Sequence, residues 1–402
     1  VIRNLERVEV LVGDSREIFD CSPWKPFDQR VVEFLIDFSR VALALPRETT
    51  TSDVYALAYW CRRANLLRLS QSIGETEIRK GVGVVFHIPP ANVPLNFFYS
   101  LAIGLLSGNS NLLRLSSRDF AEVDLVIELL KEVLINPVHD EVRKRVCIIR
   151  YGHDDGISGE ISRLVDGRII WGGDRAVENI RSLPGRPRLV DVPMADRVSF
   201  ALIRSAAVVE ASNEEIDRLG ELFLRDVTTF DQNACSSPKM LVWVGSSREA
   251  DAAQARFWDA IDRHINAADY LKPIRTIDRL VELCEATAEE DSNISQVHVV
   301  GPFLRLTLAD ELDWPAAAVF RFGTVIEASV KTVSEVARLS SGRVQTVTSF
   351  GFSSAELVEL ARADQLIGID RFVPFGQALD FELVWDGFDL VRMLSRQVVV
   401  KV

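Results

Sequence analysis

Five cysteines are spread through this chain, and one of them, Cys235, stands where a nucleophile would be useful. It lies in Phe230-Asp231-Gln232-Asn233-Ala234-Cys235-Ser236-Ser237-Pro238, between a predicted helix and a predicted strand. Catalytic side chains concentrate on loops held by a scaffold, and the small polar neighbours let backbone N–H groups reach a reacting oxygen. The plain alternative is a small buried hydrophobe, the usual fate of a free cysteine. Cys21, Cys61, Cys147 and Cys284, in apolar or helical runs, are read that way. Three more turns carry candidate chemistry, each with a structural alternative. Asn92, in Ile88-Pro89-Pro90-Ala91-Asn92-Val93-Pro94, is either a helix N-cap or an amide donor aimed at a developing oxyanion. Arg114, with Ser116 and Ser117 beyond it, is either a solvated strand end or a cation and two hydroxyls for a nucleotide's ribose or phosphate. Trp171-Gly172-Gly173-Asp174 is either a tight turn or a place where backbone approaches a cofactor closely.

Other familiar site patterns are missing. No GxGxxG follows a strand, and neither GxxxxGK[ST], HExxH nor GxSxG occurs. The cysteines are odd in number and form no CxxC pair, so neither a zinc cluster nor a disulfide framework is indicated. No metal is expected, and a reducing cytoplasm is the expected location.

The elements that must hold these turns alternate along the chain. Strands are expected at Gly81 to Ile88, Asn111 to Leu115, Val146 to Tyr151 and Arg168 to Trp171. Helices are expected at Val93 to Ser107, from a cap at Asp119, at Ile157 to Val165 and at Arg175 to Ser182. Such alternation implies a parallel sheet covered on both faces, with ligands at the carboxyl ends of its strands. A second α/β block follows a boundary at Asp191 to Asp196. Its expected strands are Arg197 to Ile203, Met240 to Val244, His298 to Val300, Val319 to Ala328 and Val344 to Ser349, with helices at Ile216 to Arg225 and Ala250 to Ile265. Residues 1–75 read as mostly helical, and Glu285 to Asp291 as a solvated helix end.

Composition excludes several classes of function. The 402 residues carry a net charge of −12, so no general attraction to nucleic acid or anionic membrane is expected. The first residues are charged where a secretory signal would be apolar. The longest apolar run, Val93 to Leu106, is interrupted by Asn96, Ser100 and Gly104. It falls short of the roughly 20 residues a membrane span needs, and a buried core helix is expected there.

The four turns, in this order, resemble the aldehyde dehydrogenase superfamily, and within it the LuxC-type acyl-CoA reductases. The marks are Ile-Pro-x-x-Asn-x-Pro, Gly108-Asn109 before the strand carrying Arg114, Trp-Gly-Gly-Asp, Gln-x-Ala-Cys-Ser-Ser-Pro and Arg-Val-Gln-Thr-Val. Asp370-Arg371 and Trp385-Asp386-Gly387 fit as well, so the resemblance spans about residues 80–402. It implies Cys235 as nucleophile, activated by a thiol pKa below the reference of about 8.5, and Asn92 as oxyanion donor. Arg114, Ser116, Ser117, Trp171, Gly172, Gly173 and Asp174 are implied at the cofactor. Two departures matter. The glutamate that activates water in the hydrolytic members has no counterpart in Leu189 to Asp196, where Asp191 stands nearest. The Glu-x-Phe-Gly of the nicotinamide ribose is similar to Phe320-Arg321-Phe322-Gly323, without its glutamate.

The resemblance implies an aldehyde-dehydrogenase-like α/β fold, with two Rossmann-type domains and an active site in the cleft between them. Residues 1–195 are expected to bind cofactor, 196–372 to carry the cysteine, and 373–402 to form a tail suited to oligomerisation. The implied activity is NADPH-dependent reduction of a fatty acyl-CoA to the aldehyde through an acyl-cysteine. NADPH rather than NADH follows from Arg114, from the lack of an acidic ribose clamp at Ser117, and from the resemblance. Three alternatives stand beside it: an acyl group on a carrier protein, an acylating aldehyde dehydrogenase running in reverse, and an inactive scaffold. Expected partners are the thioester, a second copy of the chain, and an acyl-transferring or acyl-activating protein.

Overall fold

The computed structural model describes residues 7–46, 50–74, 77–90, 92–265, 273–288, 294–308 and 320–401. Ala91, Val319 and residues 289–291 of the acidic run lie outside them. The chain divides into two compact units, Val1–Asp196 with Phe381–Val402, and Arg197–Asp380. The contact boundaries thus fall at Asp196 and Asp380, and the last residues belong to the first unit.

The strands of the first unit are β1 (Glu9–Val12), β2 (Arg79–Gly81), β3 (Val84–Ile88), β4 (Ser110–Leu115), β5 (Val146–Arg150), β6 (Gly167–Trp171) and β7 (Val190–Met194). The sheet order is β1-β5-β4-β3-β6-β7, parallel except for β1. Every residue of β3 and β6 is buried, as expected of parallel strands covered on both faces. Helices α1 (Gln29–Leu43), α2 (Ser52–Trp60), α3 (Arg63–Ser70), α4 (Asn96–Leu106), α5 (Ala121–Leu134), α6 (Asp140–Arg143), α7 (Asp155–Ser162) and α8 (Asp174–Ser182) complete this part. The apolar run is indeed a core helix, α4, with nine of its residues buried. No helix among the described residues is long and apolar enough to cross a membrane. Where α4 crosses the sheet, only glycine fits at Gly104: a Cβ there would meet Asn111 Oδ1 at 1.9 Å.

One local expectation fails. Asp119 does not cap α5, whose N-cap is Phe120 without a side-chain bond. The stretch read as a boundary does end where the first unit ends, at Asp196, and it overlaps β7, which tolerates Pro193 because it is the sheet's edge strand.

The second unit contains β8 (Val198–Arg204), β9 (Pro238–Val244), β10 (Ile294–Val300), β11 (Phe303–Leu308), β12 (Thr324–Val330), β13 (Val344–Phe350) and β14 (Arg371–Pro374). The order is β10-β11-β12-β9-β8-β13-β14, with only β10 antiparallel to its neighbour. Its helices are α9 (Ser205–Glu210), α10 (Asn213–Thr228), α11 (Ser247–His264), α12 (Pro273–Ala288) and α13 (Ser354–Ala361). Helices α10 and α11 each begin with a reciprocal Ser–Glu capping box. In the first sheet β3 sits in the middle and the chain winds outward from it on either side; in the second, β8 has its successor β9 on one side and the later β13 on the other. That arrangement creates a topological switch point.

Phe381–Val402 adds the short hairpin β15 (Val384–Trp385) and β16 (Phe388–Asp389), helix α14 (Leu390–Met393) and β17 (Ser395–Gln397). β17 pairs with β2, and Trp60 Nε1 donates to the Phe381 carbonyl.

Candidate active site

In the second unit, Cys235 lies in the connection from α10 to β9, at the amino end of that strand. Asp231 and Gln232 there have φ of 51° and 60°. Left-handed backbone without glycine costs of order 1–3 kcal/mol per residue and persists only where the surroundings impose it. Gln232 does the imposing. Its Nε2 donates to the Pro238 carbonyl at 2.9 Å and the Thr324 carbonyl at 3.1 Å, and its Oε1 accepts from Gly323 N at 3.0 Å. Phe322 N also donates to the Asp231 carbonyl at 3.2 Å. The segment Phe320 to Gly323 is therefore laced to the cysteine loop where β12 and β9 begin. On the other side, Ser199 Oγ of β8 donates to the Cys235 carbonyl at 2.8 Å and accepts from Thr346 N of β13 at 3.1 Å. Ala234, Ser236 and Ser237 are buried, whereas Cys235 is half-buried. The loop is held from four strands and keeps its thiol partly accessible.

The other cysteines differ. Cys61 and Cys147 are buried, and burial pushes their thiols up, Cys147 to about 12. The buried reading fails for Cys284, exposed on the outer side of α12, and holds only in part for the half-buried Cys21.

Two charged groups flank the loop that sequence reasoning did not single out. Glu282 of α12 accepts from Arg321 N at 3.1 Å and from its Nε at 2.7 Å, so a carboxylate does meet the segment that lacks its own glutamate. Lys239, second residue of β9, is 6% exposed, and burial pulls its ammonium down to about 7. The only signal in the sequence was a lone lysine opening an otherwise apolar strand.

In the first unit, the candidate turns follow the carboxyl ends of β3, β4 and β6, at the switch point. Asn92 is exposed in a bend and does not cap α4, whose N-cap is Leu95. The helix-cap reading of Asn92 is therefore not observed. Beneath these turns, buried His87 donates from Nε2 to Asn111 Oδ1 and accepts at Nδ1 from Ser100 Oγ, each at 2.9 Å. Asn111 Nδ2 is used on the Asn109 carbonyl, which fixes that assignment. Burial pulls His87 down to about 4, so it is neutral.

A pocket lies beyond β3 and β4. Pro89, Pro90, Phe97 and Phe120 supply apolar walls, and Ser116 and Arg118 a polar side. Ser116 Oγ accepts from Arg118 N at 3.2 Å. Arg118 was not anticipated. Arg114 was, but its guanidinium stacks 4.7 Å over the Tyr151 ring and donates to the Gly152 carbonyl at 3.2 Å. Ser117 is exposed and does not line the pocket.

The Trp171 turn is also partly reassigned. The Trp171 indole is 8% exposed, and its Nε1 donates to Ser100 Oγ at 3.2 Å, so this side chain serves the core. Gly173 is the N-cap of α8, and a Cβ there would lie 3.1 Å from Asp196 Oδ2. Asp174 and Asp196 clasp reciprocally, each carboxylate accepting from the other's backbone N–H. Asp191 is bound bidentately by Arg168 at 2.7 Å per bond, which occupies the carboxylate nearest to the missing water-activating glutamate.

Residues 62–397 match the profile of the family described as acyl-CoA reductase (LuxC). Over 168 residues the chain is 26% identical to a long-chain acyl-protein thioester reductase of Aliivibrio fischeri, covering 41% of this chain and 33% of that protein. A protein of the same description from Vibrio harveyi is 24% identical over 171 residues, covering 42% and 33%. The chain thus aligns with about a third of the length of these curated relatives. Among solved structures, an NAD-dependent aldehyde dehydrogenase from Sinorhizobium meliloti superposes with a TM-score of 0.67 at 13% identity, covering 96% of this chain and 84% of that one. The glyceraldehyde-3-phosphate dehydrogenase GapN from Methanocaldococcus jannaschii, complexed with NADP, gives 0.61 at 13% identity, covering 92% and 88%. The fold is therefore aldehyde-dehydrogenase-like α/β with two domains.

Proposed function

The chain belongs to the acyl-CoA reductase (LuxC) family, and on that premise we propose that it reduces a fatty acyl thioester to the aldehyde with NADPH. The thiolate of Cys235 attacks the thioester carbonyl carbon, the bond to the coenzyme A sulfur breaks, and coenzyme A leaves as its thiolate. The Cys235 backbone N–H donates to the oxygen that becomes negative in this step, and the resemblance implies Asn92 as a second donor. NADPH, when bound, supplies a hydride to the acyl carbon. Ser116 and Arg118 would hold its ribose phosphate. What suits the group is the phosphate side alone, an arginine and a hydroxyl at the end of a parallel sheet. The thiohemiacetal then formed on Cys235 collapses with cleavage of its C–S bond, freeing the aldehyde and returning the thiolate.

The observation that carries this reading is the half-buried thiol on a loop fixed from four strands. The engagement of Asp191 by Arg168 supports reduction over oxidation to a free acid, which needs an activated water. A panel of acyl-CoAs with NADPH, followed by absorbance loss and aldehyde trapping, tests the activity. Labelled acyl-CoA without NADPH should leave one acyl group on Cys235, and Cys235→Ala should abolish reduction with an unchanged melting temperature. Label on Cys147 or Cys284, or a fully active Cys235→Ala, would overturn the assignment. A second reading, an acyl group carried on a protein, is favoured by the description of the curated relatives as acyl-protein thioester reductases. Comparing acyl-CoA with an acylated carrier protein as substrate separates the two.

A further inference from the structure

Lys239 is a buried lysine. Among the described residues no carboxylate lies within ion-pair distance of it, and its Nζ donates to the Gln232 carbonyl in the cysteine loop. Burying an ammonium costs several kcal/mol unless the site repays it. Backbone register explains how this side chain meets that loop. Ser199 pairs with Pro238 and Phe200 with Met240, so Lys239 is an extra residue in β9 at the β8 border. Such bulges re-aim a side chain and recur beside active sites. Three charged groups act on the ammonium: Arg321 opposes its charge, while Glu282 and Cys235 favour it. Glu282 is already bonded to Arg321. Cys235 is the group among them whose charge changes when an acyl group is taken up.

We propose that Lys239 is a positioning residue for acyl transfer: its buried ammonium fixes the Gln232 carbonyl and favours the thiolate of Cys235 over the thiol. The inference rests on Cys235 being the nucleophile. The coupling is reciprocal, so the favour the thiolate does the ammonium is returned in full. Lys239 touches no substrate; it acts through the loop and through charge. The same loop that Gln232 holds by hydrogen bonds is then set electrostatically from beneath.

The test is the pH dependence of iodoacetamide alkylation at Cys235 in the full chain, without substrate. Lys239→Gln keeps a donor for the Gln232 carbonyl and loses the charge; Lys239→Met loses both; Lys239→Arg keeps the charge. The Gln and Met variants should alkylate about tenfold more slowly near neutral pH, their midpoint rising by about one unit, while Arg restores the wild-type midpoint. A wild-type midpoint in Lys239→Gln overturns the proposal and leaves Lys239 as a loop tie. If the neutral variants do not fold, the reciprocal measurement decides. The Lys239 side chain, followed by NMR in lysine-labelled protein, should lose its proton at lower pH in Cys235→Ser than in wild type, and an unchanged titration overturns the coupling. These titrations read the Lys–Cys pair whether or not turnover runs through Cys235. Failure of the acyl-enzyme reading appears separately, as reductase activity surviving in Cys235→Ala.

Discussion

At the scale of single residues, what distinguishes a working group from a structural one is what else the side chain is already doing. Asn92 is exposed and lies outside the cap of α4, so no helix cap is lost with its side chain. Asn92→Ala is expected to lower turnover with little change in acyl-CoA affinity, by the ~2.7–4 kcal/mol typical of a lost oxyanion donor. Normal turnover in a variant that melts several degrees lower would make it structural after all. Arg114 and Arg118 separate in the same way. Arg118 borders the pocket, whereas Arg114 is engaged with Tyr151 and Gly152. Arg118→Glu should therefore weaken NADPH more than NADH, because only the former carries the extra ribose phosphate. Arg114→Glu should weaken both alike. Titrating both dinucleotides against both variants gives the answer, and selective loss of NADPH in Arg114→Glu would reverse the assignment.

Elements set where such residues can act. Helix α10 leads into the cysteine loop, and near its end buried Asp226 accepts from Gly376 N at 2.7 Å and Ala378 N at 3.1 Å, pinning the turn after β14. Burial pushes this carboxyl up to about 7, against the pull of those two donors. Below about pH 4 it is neutral in folded and unfolded chains alike, and its contribution is fully present. As pH rises towards 7 the unfolded carboxyl ionises first, so stability is lost through that window and is level above it. The melting temperature of wild type relative to Asp226→Asn should accordingly fall between pH 4 and pH 7. A difference that rises with pH would mean the folded carboxylate is charged. The strands were legible where an apolar run is buried on both faces, as in β3, β4, β5 and β6. They were missed at sheet edges, as in β1, β7 and β14, because an edge strand tolerates proline and polar residues, and also at the interior β11.

For the molecule as a whole, the chain's return to its first unit is the feature with the largest consequence for stability. Phe381, Leu383, Trp385, Leu390, Val391 and Leu394 are all buried in that unit's core. A chain stopped after Asp380 should lose soluble, cooperatively melting protein, since each large core side chain removed typically costs about 2–5 kcal/mol. Thermal unfolding and sedimentation of the truncated chain check this, and a wild-type transition would show the segment to be dispensable. By itself the sequence determined the two α/β halves, the cysteine loop and the turns at the carboxyl ends of β3, β4 and β6. These are local: periodicity, turn residues and short motifs are read within a few neighbours. Tertiary structure alone decided that Arg118 rather than Arg114 borders the pocket, that the Trp171 indole and Asp191 are already engaged, and that Gln232, Ser199 and Lys239 hold the cysteine loop. Each of those depends on partners far along the chain: Gly323 and Thr324 for Gln232, Thr346 for Ser199, Arg168 for Asp191. Burial and hydrogen-bond competition exist only once the sheet has brought such partners together, so no spacing in the sequence announces them.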